Sequence, residues 1–245
     1  ILSDPSHQNT LSEKMIDELQ SAFDQFNSSP RRVIILSSTG KVFSAGHDLK
    51  ELKAARSHPD KGKEYFQSIL KKCSRLMQTI VNHSKPVIAQ VDGVATAAGC
   101  QLALSCDLVY ASSNSRFATP GVNIGLFCST PMVALSRNTT SKHSMEMLLT
   151  GELISADEAE KKGLINKSVN EEGLENLILE KATKISSKSG TTLKIGKKAF
   201  YQQIEMPLAE AYEYASKVML ENMLDQDAKE GIEAFLEKRS PNWKE

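Results

Sequence analysis

Soon after the start of the chain, Leu11, Met15, Ile16, Leu19, Phe23 and Phe26 recur at helical spacing behind Thr10-Leu-Ser-Glu13, which fits a capping box. This predicts a helix packed on one face. Ser28-Ser29-Pro30 breaks it. Val33-Ile34-Ile35-Leu36 then reads as a buried strand, and Thr39-Gly40 turns the chain toward Val42-Phe43. From Glu64 to Val81 a second stripe carries Tyr65, Phe66, Ile69, Leu70, Cys73, Leu76, Met77 and Ile80. Pro86 opens the strand Val87-Ile88-Ala89-Gln90-Val91, which Asp92-Gly93 ends. The stretch Val94 to Ser105 is rich in small residues and then helical, and Leu108-Val109-Tyr110 is a further strand. Beyond it the pattern predicts a helix near Met145 to Leu149, a boxed helix start at Ser155-Ala-Asp-Glu158 with Gly163 past its end, and a strand from Leu164 to Val169. From Glu171 to Lys238 helix follows helix. Strand and helix alternate over the first two thirds, which predicts an α/β core over 1–190 and a helical region over 191–245.

Composition narrows the class. The chain has 245 residues, 40% of them hydrophobic, enough for a large core. Its 30 Lys+Arg balance 30 Asp+Glu, which argues against a globally basic nucleic-acid binder. Lys181, Lys184, Lys188, Lys194, Lys197 and Lys198 do form a run without an acidic residue, but no aromatic is interleaved with the first three, and the run is expected to be solvated helix surface rather than an RNA-binding face. Cys73, Cys100, Cys106 and Cys128 show neither CxxC spacing nor zinc-finger neighbours, so reduced thiols of an intracellular protein and no metal site are expected. Apolar runs reach about six residues against the roughly 18 of a spanning helix, so no membrane span is expected. The chain opens Ile1-Leu2-Ser3-Asp4-Pro5 without an initiator Met, and its residues alone fix no localisation.

Two segments place small residues where a strand feeds a helix: Val42-Phe-Ser-Ala-Gly-His-Asp-Leu49, with a helix starting near Asp48, and Gly93-Val-Ala-Thr-Ala-Ala-Gly-Cys100. Helix N-termini present unpaired N–H groups with partial positive charge, and small side chains let a ligand oxygen approach them. Two such ends side by side would make an oxyanion hole. Close helix-to-sheet packing accounts for the same glycines and alanines, and the two readings stay open on composition alone.

The motifs and their order carry a resemblance. Phe43-Ser-Ala-Gly-His-Asp-Leu-Lys-Glu-Leu52, then Lys85-Pro-Val-Ile-Ala-Gln-Val-Asp-Gly93 with Ala97-Ala-Gly-Cys-Gln-Leu-Ala103 and Cys106-Asp107, are similar to the two hole motifs of the crotonase, or enoyl-CoA hydratase/isomerase, superfamily. Phe117-Ala-Thr-Pro-Gly121, Met145-Glu-Met-Leu-Leu-Thr-Gly151, Ile154-Ser-Ala-Asp-Glu-Ala159 and Glu230-Gly-Ile-Glu-Ala-Phe-Leu-Glu-Lys-Arg239 resemble its later blocks. The resemblance implies an α/β spiral of ββα units with C-terminal helices that build homotrimers or hexamers. It implies a coenzyme A thioester as ligand, no further cofactor, and a place in mitochondrial lipid metabolism. The hole would be the backbone N–H groups of His47 and Ala98. His47, Asp48, Leu49 and Lys50 would line the CoA arm, and Phe235 and Lys238 match positions that approach its nucleotide end.

Departures from the family bear on the chemistry. Hydratases carry two glutamates where this chain has Gln101 and Gly121, and dienoyl-CoA isomerases carry an aspartate where it has Ser129. Hydration needs a base for water and an acid for the α-carbon, each worth about 10²–10⁴ in rate, and none of these three residues supplies either. Classical enoyl-CoA hydration is therefore not expected, while Gln101→Glu with Gly121→Glu is expected to raise it if the frame is otherwise intact. Decarboxylation or thioester hydrolysis without a carboxylate pair, or a non-catalytic role as assembly partner of active homologues, are the alternatives. Of the other polar residues, His47 is expected to turn its ring from the ligand and Asp48 to sit in the first turn of a helix, where the dipole favours a carboxylate. Cys100 and Cys128 are expected to be buried and inert, Asp92 to make a turn, and Asp107 to tie down a strand start.

Overall fold

The computed structural model describes residues 1–244. After a 3₁₀ turn at Pro5–His7, the chain runs α1 (Glu13–Phe26), β1 (Ile34–Leu36), β2 (Val42–Ser44), α2 (Leu49–Ala55), α3 (Lys63–Asn82), β3 (Val87–Val91), β4 (Val94–Thr96) and α4 (Ala98–Leu104). It continues through β5 (Leu108–Ser112), β6 (Arg116–Ala118), a 3₁₀ turn at Pro120–Ile124, α5 (Pro131–Asn138), α6 (Ser141–Thr150), β7 (Ile154–Ser155), α7 (Ala156–Lys161) and β8 (Lys167–Val169). Four helices close it: α8 (Glu171–Ser186), α9 (Gly190–Gln203), α10 (Leu208–Met223) and α11 (Gln226–Leu236).

Each ββα unit gives one strand to each of two sheets. The first sheet, β1-β3-β5-β8, is parallel throughout; the second, β2-β4-β6-β7, is parallel except where β7 runs against β6. The largely apolar sequence of β3, broken only by Gln90, follows from burial on both faces: Val87, Ala89 and Val91 enter the main core with Phe43, Leu102 and Phe117, while Ile88 joins Tyr110 beneath Leu174 and Ile178 of α8. This stack carries β2 and β4 side by side, with Val42 opposite Val94 and Ser44 opposite Ala95. The loops that leave both strands therefore open at the same end of one sheet.

Several sequence expectations need correction. The N-cap of α1 is Ser12, whose hydroxyl accepts the Met15 N–H at 3.2 Å, and not Thr10. The strands β4, β6 and β7 are two or three residues long, too short for periodicity to register, and α5 starts at Pro131 without a side-chain cap. Only Lys167–Val169 of the expected 164–169 strand pairs; Leu164 and Ile165 instead return their N–H groups to the Ala159 carbonyl. Lys197 is not solvated surface. Its ammonium reaches the Asp107 carboxylate at 2.7 Å and the Ile80 and Lys85 carbonyls at 3.0 Å each, and pins α9 onto the core.

Candidate functional site

The loop from β2 to α2 is shaped by its own polar groups. Asp48 caps α2 by accepting the Lys50 N–H at 2.7 Å and the Glu51 N–H at 3.4 Å, as a carboxylate in a first turn should. Glu51 Oε2 accepts the Tyr65 hydroxyl at 2.8 Å and the Glu13 N–H at 3.0 Å, which ties α2 to α3 and α1. Burial and the adjacent Glu51 carboxylate push the Tyr65 phenol up, so it remains the donor. Leu11 donates its N–H to the Gly46 carbonyl at 2.8 Å, and its own carbonyl lies 3.3 Å from His47 Nδ1. A carbonyl only accepts, so Nδ1 carries the proton and the ring is engaged with the Leu11 backbone. Desolvation is the main cause that lowers the His47 pKa, against the raising effects of the Leu11 hydrogen bond and Glu51. The neutral imidazole leaves its Nε2 buried without a partner.

The second loop is strained. Ala97 holds φ 51° and ψ −122°, a left-handed conformation that costs a non-glycine residue about 1–3 kcal/mol and persists only where the surroundings fix it. Its N–H donates to the Ala118 carbonyl at 3.0 Å and fixes the turn against β6. The loops then meet. A Cβ on Gly46 would stand 3.0 Å from the Ala98 nitrogen, and one on Gly99 would stand 2.2 Å from the Ser44 carbonyl oxygen. Thr96 Oγ1 donates across the seam to the Ala45 carbonyl at 3.3 Å. Among the described residues, neither the His47 N–H nor the Ala98 N–H donates to another group. Two backbone N–H groups without a partner thus stand on loops in contact.

The positions around this pair differ in kind. Gln101, one turn along α4 from Ala98, is 5% exposed, and its Oε1 makes no hydrogen bond. Gly121 is enclosed by its own loop: its N–H donates to Cys128 Sγ at 3.3 Å and its carbonyl accepts the Leu126 N–H at 2.9 Å. A Cβ there would lie 2.6 Å from the Leu126 carbonyl oxygen and 2.9 Å from Cys128 Sγ. The frame is thus not otherwise intact for a restored glutamate, which lacks room at 121. Ser129 is exposed and turns both its N–H and its hydroxyl to the Phe127 carbonyl, at 2.7 and 3.3 Å.

The remaining predicted residues fall into place. All four cysteines are free and buried; desolvation pushes the Cys100 thiol up to about 12 and raises Cys128, so neither is a ready nucleophile. Asp107 does tie down a strand start, by accepting the Val87 N–H at 2.7 Å, and also accepts the Tyr201 hydroxyl at 3.0 Å. Leu49 and Lys50 are exposed on the first turn of α2. Phe235, 83% exposed, and Lys238, which leaves α11 at φ 56°, stand on a helix whose neighbours are α9 and α10. The structure packs Gly46, the neighbour of His47, against Ala97 and Ala98, and leaves Phe235 and Lys238 on outer surface. Sequence reasoning missed Thr119, 1% exposed with an unpartnered hydroxyl just beyond β6, and the closing role of Cys128. It also missed Glu51, although this residue sits inside the Gly46-His-Asp-Leu-Lys-Glu-Leu52 motif.

No helix among the described residues is long and apolar enough to cross a membrane, and no cluster of His, Cys, Asp or Glu among them could hold a metal ion. The family model described as enoyl-CoA hydratase/isomerase matches residues 1–245. A mouse protein named enoyl-CoA hydratase domain-containing protein 3, mitochondrial, is 50% identical over 244 residues, which cover 99% of this chain and 80% of the mouse protein. The crystal structure of human enoyl Coenzyme A hydratase domain-containing protein 3 superposes with a TM-score of 0.93 at 48% identity, over 98% of this chain and 93% of that one. An enoyl-CoA hydratase structure from Mycobacterium smegmatis does so with a TM-score of 0.92 at 46% identity, over 98% and 91%. Two sheets fed by ββα units, two small-residue loops in contact at one sheet end and a full-length match together place this chain in the enoyl-CoA hydratase/isomerase family, with the crotonase fold.

Proposed function

We propose that the chain binds an acyl-CoA thioester whose carbonyl oxygen sits between the backbone N–H groups of His47 and Ala98, and that it does not hydrate enoyl-CoA. The observation that carries this reading is the pair of unengaged N–H donors on loops in contact, with Gly46 packed beside the Ala98 nitrogen. Enolisation of a thioester, or attack on it, builds charge on that oxygen, and one preorganised donor is worth about 3 kcal/mol of barrier in a comparable hole. Asp48, Leu49 and Lys50, which follow His47 directly, would flank the CoA arm. The second half of the reading rests on chemistry: a carboxamide at 101, a hydrogen at 121 and a serine hydroxyl at 129 offer neither a base for water nor an acid for the α-carbon. Chemistry that needs only the hole, such as decarboxylation or thioester hydrolysis of an acyl-CoA, is compatible with these residues.

The mitochondrial name of the mouse relative supports a place in mitochondrial acyl-CoA metabolism. A homotrimer or hexamer is proposed from the apolar residues left exposed on α10 and after it, among them Leu208, Tyr212, Met219 and Leu224 at 62–76%. The same surface would serve the second reading, a non-catalytic partner that co-assembles with active homologues. Calorimetric titration with acetoacetyl-CoA against free CoA tests the first reading. Tighter binding of the thioester, together with absent hydration of crotonyl-CoA, is the expected result. Equal binding of the two, with mixed assemblies by native mass spectrometry, would replace it with the second.

A further inference from the structure

Residues 8–11 lie along the β2–α2 loop and are joined to it by backbone bonds. Ala45 donates its N–H to the Gln8 carbonyl at 3.1 Å, Leu11 donates to the Gly46 carbonyl at 2.8 Å, and Leu11 and His47 pair as an isolated parallel bridge. The Gly46 carbonyl and the His47 N–H belong to one planar trans peptide, whose two polar bonds point in opposite directions. The Leu11 N–H therefore sets the plane of that peptide and turns the His47 N–H away from residues 8–11. Asn9 holds the segment in place. It is fully buried, at a left-handed φ of 48° that asparagine tolerates better than most residues. Its Nδ2 donates to the Thr39 carbonyl at 2.8 Å and to the Val42 carbonyl at 2.7 Å, and its Oδ1 accepts the Asp4 N–H at 2.8 Å. Thr39 lies in the turn that leaves β1 and Val42 opens β2, so one carboxamide fastens residues 4–9 to the base of the strand that feeds the loop.

We propose that Asn9 is a positioning residue for the acyl-CoA site: its carboxamide places Leu11, and Leu11 aims the His47 N–H at the thioester oxygen. This rests on the thioester reading above and adds to it a residue outside both small-residue loops. The Ala98 N–H is aimed separately by the same geometry, because the Ala97 carbonyl of its peptide accepts the Gln101 N–H at 3.0 Å in the first turn of α4. Loss of the Asn9 carboxamide therefore costs one donor of the pair and spares the other. Helix α2 is also held separately, by the Asp48 cap and by the Tyr65 hydroxyl on Glu51, so contacts to the CoA arm are not routed through Asn9. A hydrogen bond to an oxygen that carries charge is worth about tenfold or more in affinity, and that is the loss expected for the thioester alone.

The test is calorimetric titration of the full chain with acetoacetyl-CoA and free CoA, as parent, as Asn9→Gly, and as Lys197→Met with Asp107→Asn. Glycine keeps the left-handed backbone accessible and removes only the carboxamide. The Lys197 and Asp107 pair weakens the fold away from this segment and controls for general loss of stability. Asn9→Gly is expected to reduce the preference for the thioester over CoA about tenfold, with CoA bound as in the parent and the preference of the control unchanged. Asn9→Asp is the second variant should glycine fold poorly: it has the same shape, keeps the acceptor for the Asp4 N–H, gives up at least one of the two donated bonds, and is expected to lose part of the preference. An undiminished preference in the Asn9 variants, or an equal loss in the control, would overturn the assignment to Asn9 and leave the thioester reading standing. No preference in the parent would remove that reading and the proposal with it.

Discussion

Gly121→Ala tests whether the 121–128 loop leaves room for a side chain at 121. The added Cβ would lie 2.6 Å from the Leu126 carbonyl oxygen, where ordinary contact begins at 3.4 Å, so the loop must yield by 0.8 Å at a backbone atom. Cys128 Sγ, at 2.9 Å, blocks a second direction. Overpacking of this kind costs about 1–3 kcal/mol. The shift also disturbs the Leu126 N–H bond to the Gly121 carbonyl, which places the loss near 2 kcal/mol. At about 2–4 °C per kcal/mol for a chain of this size, the thermal midpoint should fall by about 4–8 °C, read by circular dichroism at fixed protein concentration. Gly196→Ala is the control: nothing lies within 4 Å of its Cβ, and alanine inside α9 should gain about 0.5–1 kcal/mol. The functional counterpart is Gln101→Glu with Gly121→Glu, which should hydrate crotonyl-CoA no better than Gln101→Glu alone. A Gly121→Ala protein as stable as the parent, or brisk hydration by the double variant, would refute the reasoning, because either shows that the 121–128 loop moves aside at little cost.

Gly46→Ala puts a methyl 3.0 Å from the Ala98 nitrogen at φ +86°, and should weaken acetoacetyl-CoA by about tenfold in calorimetry with the circular dichroism spectrum unchanged. Lys197→Met leaves the Asp107 carboxylate without its cation in a largely buried site; a loss of about 3–5 kcal/mol in urea unfolding is expected, and Lys197→Met with Asp107→Asn should lose less. His83 donates from Nε2 to the Phe23 carbonyl and accepts the Lys85 N–H at Nδ1, and burial, with Lys197 and Lys85 nearby, depresses its pKa. The unfolded chain therefore takes up the proton first on acidification, so the stability His83 contributes is present above about pH 6.5 and is lost as pH falls through the folded value. The urea midpoint should drop between pH 7.5 and 5.5, and His83→Gln should shrink that drop; an equal drop in the variant would contradict the assignment.

What the sequence discloses here is what local chemistry determines. The strand at Val87–Val91, the boxed start at Ser155 and the Asp48 cap stand where their residues put them, because each depends on neighbours within four positions. The two small-residue loops between β2 and α2 and between β4 and α4 are legible for the same reason. Lys197 was not, because burial of one lysine in a run of six depends on a carboxylate 90 residues away and on carbonyls at the end of α3. Nor was the closure of the seat at 121, since a glycine there reads as a missing side chain and not as an occupied space. Leu126 and Cys128 occupy it only when the chain turns back after the 3₁₀ turn.

The two kinds of change sit on different segments, and this decides how they can combine. The loops that carry the His47 and Ala98 N–H groups are fixed by the turn at Ala97, by the Gly99 approach to Ser44 and by the Glu51 ties behind α2, none of which involves residue 121. The crowding at 121 therefore leaves these contacts in place. An architecture kept only for assembly has no need of a left-handed alanine at the head of α4 or of a dry carboxamide beside it, since Gly at 97 and Leu at 101 would each relieve a cost of about 1–3 kcal/mol. Strain at Ala97 and an unpaired Gln101 oxygen one turn further along fit the proposed thioester site, and the titration with acetoacetyl-CoA against free CoA tests it.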